Sequence, residues 1–177
     1  QTVDYNVCKA TFMVDSTPAE IASVNYSTEV SKIALSDAGS ANTDALTVNF
    51  SVNDLMRLDK VDVYVNDALV KTYKYGKDFT DANAFNEGEF VINEGGASEQ
   101  TLRIVATDKA GNVMDTANKD QFTPGYVFFD HIVVTSNIFA QFYANKLLFW
   151  GSIGGVVVIV AAVWFIASKK KKKVKDK

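Results

Sequence analysis

Leu46-Thr47-Val48-Asn49-Phe50-Ser51-Val52 alternates apolar and polar residues without a break. Successive side chains of a strand point to opposite faces, so Leu46, Val48, Phe50 and Val52 share one face and Thr47, Asn49 and Ser51 the other. The stretch predicts a strand with one face in a core and one towards solvent. The pattern recurs on both sides at intervals of roughly ten residues. Val61, Val63 and Val65 alternate with Asp62 and Tyr64. Asn66-Asp67 follows, and both residue types tolerate positive φ, which predicts a tight hairpin into Ala68–Tyr73.

Further strands are predicted at Ile21–Val24, Lys32–Leu35, Phe90–Ile92 and Leu102–Ala106. Asp108-Lys109-Ala110-Gly111-Asn112 punctuates the last before Val113 resumes it, because Asp, Gly and Asn close turns through side-chain bonds and left-handed backbone. About seven strands in roughly 100 residues fit an antiparallel immunoglobulin-like sandwich. Two prolines and no long helical periodicity argue against an α/β fold.

The other deciding stretch is Leu147–Ser168, LLFWGSIGGVVVIVAAVWFIAS, 22 residues without a charge. As a helix it would measure about 33 Å, enough to cross a hydrocarbon core of roughly 30 Å. Its β-branched run, Val156 to Val160, disfavours helix in water, but in lipid the backbone must satisfy its own hydrogen bonds. Leu147, Phe149 and Trp150 at one end and Trp164 and Phe165 at the other are candidate anchors at the two interfaces. Gly151 and Gly155 form a GxxxG pair that would let two helices approach closely. Five lysines, Lys169, Lys170, Lys171, Lys172 and Lys173, follow at once. The positive-inside rule assigns such a tail to the cytoplasm and the N-terminal part to the outside.

The net charge of −3 conceals a polarity. Residues 1–145 hold ten basic and twenty acidic groups, a net of about −10, which argues against nucleic acid as a partner. The lipid bilayer is the partner expected of the apolar run. The single cysteine, Cys8, allows no intrachain disulfide, whereas a eukaryotic secreted immunoglobulin domain usually carries a pair, so a bacterial surface is favoured. The expected organisation is a lead-in segment or terminal strand of a preceding module over 1–17, a sandwich over 18–125, an aromatic juxtamembrane segment over 126–146, the span over 147–168 and a basic tail over 169–177. In the juxtamembrane segment the first part alternates like a strand, and Ser136-Asn137 would then cap a short helix carrying Ile138, Phe139, Phe142 and Tyr143, whose rings would favour the membrane interface.

Phe12-Met13-Val14-Asp15-Ser16-Thr17-Pro18, the Asn66-Asp67 hairpin and Val105-Ala106-Thr107-Asp108-Lys109-Ala110-Gly111-Asn112 resemble the bacterial immunoglobulin-like modules found in tandem on surface proteins of Gram-positive anaerobes. The aromatic approach to Phe149-Trp150-Gly151-Ser152 is similar to the C-terminal anchors of such proteins. The resemblance implies a stalk or display module for upstream domains of the same polypeptide, with no catalytic residue to carry over. Leu55-Met56-Arg57-Leu58 replaces the Gly-containing turn that family members place after the position of Asp54. Phe122-Thr123-Pro124-Gly125 does not match a wall-sorting motif, so the span itself is read as the anchor.

Other chemistry is thin. His131, beside Asp130, lacks a second histidine for a metal site, and no nucleophile-elbow string accompanies it. Asp54, Asp59 and Asp62, or Asp78 and Asp81, are acidic loop residues weighed as calcium ligands, but the EF-hand spacing is absent. Gly95-Gly96 lacks the Lys and helix of a phosphate loop. Asn25-Tyr26-Ser27 and Asn49-Phe50-Ser51 are glycosylation sequons that matter only in a eukaryotic source. No enzyme activity, catalytic residue, metal or cofactor is expected. Two other roles stay open: a module binding host protein or glycan, with Tyr64, Tyr73 and Tyr75 as a stacking platform, and the anchoring end of a surface hydrolase.

Overall fold

The structure, a computed structural model, describes residues 14–118 and 128–175, with side chains up to residue 166. Cys8, the first part of the lead-in string, Phe122–Gly125, the side chains of Lys169–Lys173 and the last two residues lie outside the described residues. The chain is mainly β, with one long apolar helix at its C-terminal end.

Among the described residues ten strands run in chain order: β1 Glu20–Tyr26, β2 Val30–Lys32, β3 Gly39–Ala41, β4 Ala45–Asn53, β5 Leu58–Val65, β6 Ala68–Lys74, β7 Ala84–Asn93, β8 Gln100–Asp108, β9 Val113–Asp115 and β10 His131–Val134. Helix α1, Ile138–Ala144, and helix α2, Lys146–Lys175, follow. One sheet has the order β1-β4-β7 and the other β2-β3-β10-β8-β5-β6, with β9 alongside β8.

The alternation in β4 sets the packing. Leu46, Val48 and Val52 are fully buried and Phe50 nearly so, and they meet Val61 and Val63 of β5 and Ile104 and Ala106 of β8 in one core. Phe50 lies at the centre, with its ring edge-on to Tyr73, Phe85 and Phe90 at 5.9–6.2 Å. Such edge contacts add to the area each ring buries. The β5–β6 hairpin closes through Asn66 and Asp67 at φ 51° and 62°, the left-handed pair that a two-residue turn requires.

The structure departs from the sequence reading at two strands. Strand β2 ends at Lys32, and the chain then turns through Leu35 at φ 59°, so Lys32–Leu35 is not a strand. Strand β10 pairs in parallel with β3 and antiparallel with β8, the one parallel pairing among the described strands. It belongs to the sheet although it lies beyond the expected sandwich boundary at residue 125. Val14 and Asp15, the described end of the lead-in string, are irregular.

Strand direction fixes two poles. Ile132 of β10 pairs with Gln100, and Gly95 donates to the Val134 carbonyl, so the β8 start, the β7 end and α1 share one pole. Asp108 at the end of β8, Asn53 at the end of β4 and Glu20 at the start of β1 mark the other.

Candidate membrane anchor

The route from the sheet to the long apolar helix is built from short polar connections. Thr135, fully buried after β10, donates its hydroxyl to Glu94 Oε1 at 2.6 Å and accepts Asn137 N–H at 3.2 Å. Asn137 caps α1, its Oδ1 accepting from the Phe139 and Ala140 amides at 2.9 and 3.3 Å. These are helix-terminal donors that otherwise lack partners. Gln141 Nε2 donates back to the Thr135 carbonyl at 2.7 Å, tying the helix to the strand that precedes it.

Only Asn145 separates the two helices. Its N–H closes α1 onto Gln141 O, while its Oδ1 accepts from Leu148 N–H at 3.3 Å and its carbonyl from Phe149 N–H at 3.0 Å. It therefore ends one helix and starts the next. Phe149 wedges the joint, with its ring 5.8 Å from Phe142, 5.0 Å from Tyr143 and 5.3 Å from Trp150. On the sheet side Ala144 packs with Ile33, Ala38 and Val133 in a small second core.

Along α2, Lys146–Ile166 is a run of 21 residues long and apolar enough to cross a membrane, and none of it is buried. At 1.5 Å per residue it measures about 32 Å. Leu147 and Trp150 stand half or more exposed at its start, and Trp164 and Phe165 at its far end. The two tryptophans are about 21 Å apart along the axis. Gly151 and Gly155 have open space where a Cβ would project. In water such a surface would far exceed the apolar patch a soluble monomer exposes. Ile138 and Phe139 of α1 add to it, 72% and 79% exposed.

The remaining sequence candidates are dispersed. His131 is half exposed, its Nδ1 3.3 Å from Asp130 Oδ1. Tyr73 is a core residue whose hydroxyl donates to the Glu89 carbonyl, so the expected tyrosine platform does not form. Tyr64 and Tyr75 instead lie under the guanidinium groups of Arg103 and Arg57. Among the acidic residues weighed for calcium, Asp59 pairs with Lys109 and Asp62 with Lys60 and Thr72. Asp78 and Asp81 accept local backbone amides from Lys74 and Asn83. Asp54 lies elsewhere, grouped with Asp15 and Asp108. In the sequence those two belong to a boundary string and a turn. No family model matches the chain, and no curated protein or solved structure matches it.

Proposed function

We propose that the chain is a single-pass, membrane-anchored module of a bacterial cell surface, with an immunoglobulin-like sandwich outside and the lysine tail in the cytoplasm. It acts as a stalk or display domain. The observation that carries this reading is the direct coupling of sheet to span. Strand β10 is a buried sheet strand, α1 is tied back to it by Gln141, and one residue separates α1 from an uncovered apolar helix. Such a joint suits holding a rigid body at a membrane surface. The lysine run supports the orientation, and two sheets around one core support the sandwich.

The test is protease treatment of intact cells carrying the full chain with a C-terminal tag. The β unit should be lost and a tagged fragment containing α2 retained. A β unit protected until the cells are opened overturns the orientation. Recovery of the untagged chain in a carbonate-soluble fraction overturns the anchor.

A further inference from the structure

We infer that Asp15, Asp54 and Asp108 form a calcium site that fastens the incoming segment to the pole of the β unit remote from the span. Asp15 lies on the segment entering β1, Asp54 immediately after β4, and Asp108 at the end of β8. Three segments distant in sequence thus deliver three carboxylates to one place, each offering an oxygen within 4.8 Å of the other two.

The second observation is an unsatisfied oxygen. Asp54 is only 7% exposed. Its Oδ1 accepts from the Met56 and Arg57 amides, both at 2.7 Å, but its Oδ2 is buried and accepts no hydrogen bond from the described residues. A buried carboxylate oxygen without a donor is costly. Asp108 is still less exposed, at 2%. Packing like charges together in low dielectric adds to that cost. Among the described residues no lysine or arginine forms an ion pair with any of the three.

Asn112 assembles the group without neutralising it. Its side-chain amide donates to Asp108 Oδ2 at 2.7 Å and to the Asp15 carbonyl at 3.2 Å, while its backbone N–H donates to Asp108 Oδ1. A divalent cation supplies what the protein atoms lack: a partner for Asp54 Oδ2 and positive charge for three carboxylates.

Coordination habit favours calcium over magnesium: calcium takes about six to eight oxygens in an irregular shell completed by water, whereas magnesium demands near-ideal octahedral geometry. Asp54 lines an open cleft of about 460 Å³ with Thr17, Glu20, Asn53 and Asn83, through which water and ion can reach the pole. Because Asp15 precedes β1, occupancy would fix the direction in which the chain enters the domain.

The experiment uses the full chain in lipid nanodiscs, stripped with EDTA and melted with added calcium chloride or magnesium chloride at equal ionic strength, unfolding being read by near-ultraviolet circular dichroism of the tyrosines. Calcium at a hundredfold excess over its Kd should raise the Tm by about 10 °C or more. Magnesium should give a markedly smaller shift. Asp54→Asn should lose the calcium increment while melting in EDTA no lower than the parent. Asp15→Asn, at a partly buried position, should weaken calcium binding at least tenfold by terbium luminescence competition. Coincident calcium and EDTA melts overturn the proposal, as does an increment that survives in both variants. Equal shifts from the two ions overturn the assignment to calcium.

Discussion

Gly88→Ala tests the packing of the core most directly. Gly88 of β7 pairs with Phe50 of β4, and a Cβ built on it would stand 2.5–2.7 Å from Cζ, Cε1 and Cε2 of the Phe50 ring. The obstacle is the body of a ring 2% exposed and held edge-on by Tyr73, Phe85 and Phe90. It has no free direction in which to yield. Overpacking of this kind costs about 1–3 kcal/mol. Phe50→Ala alone should cost about 3–5 kcal/mol by opening a cavity. In that background the clash is gone, so adding Gly88→Ala should change stability by less than about 0.5 kcal/mol, leaving a coupling of about 1–3 kcal/mol between the sites. Both tryptophans lie on α2 and would report on that helix. Pulse proteolysis in urea, following cleavage of the β unit in nanodiscs, is therefore the appropriate assay. A Gly88→Ala protein within about 0.5 kcal/mol of the parent, or a double variant that loses the sum of the singles, refutes this account of the core.

Three further outcomes are expected. Asn137→Ala removes the acceptor for two α1 amides and should cost about 1 kcal/mol, seen as faster hydrogen exchange at Phe139 and Ala140 with β4 unaffected. Asp67→Gly, at φ 62°, should stabilise the β5–β6 hairpin by about 0.5–1 kcal/mol, measured as a higher urea midpoint. The bidentate bonds from Arg103, at 2.9 and 2.6 Å, hold the Asp115 carboxyl below its usual range against the opposing effect of burial. Their contribution is present above the unfolded carboxyl pKa and fades as pH falls through the lower folded value. Arg103→Met should flatten the acid limb of the stability profile, by about 1 kcal/mol or less because the pair is partly exposed.

What sequence reveals here tracks how local the determining physics is. The alternation of β4 and the Asn66-Asp67 turn depend on neighbours, and both are present in the structure. The Asn137 cap is equally local. Strand β10 is legible as a strand but its place in the sheet is not, because Ile132 and Val134 face the main core while Val133 faces the second, and its partners β3 and β8 lie far off in sequence. Strand β3, Gly39-Ser40-Ala41, offers three small residues whose partner β10 lies more than ninety positions away. The turn at Leu35 places a 90%-exposed leucine at positive φ, against its local preference. Asp15 and Asp108 are 93 positions apart, and only the fold joins them to Asp54. The apolar helix was the most legible element, since its length and composition suffice to define it.

The single residue between α1 and α2 has a mechanical consequence. A long, unstructured linker would let a surface domain swivel while its span tilts beneath it. Here Asn145 caps both helices and Phe149 packs across the joint, so the angle between them is sprung. With α2 in a membrane as proposed, a tilt of that helix, as a thinner bilayer would impose, would become a sideways lean of the whole β unit. Strand β8 alone extends about 30 Å, so a lean of about ten degrees carries the far pole, and whatever it bears, sideways by about 5 Å. The membrane's thickness would set the pose of what stands on it.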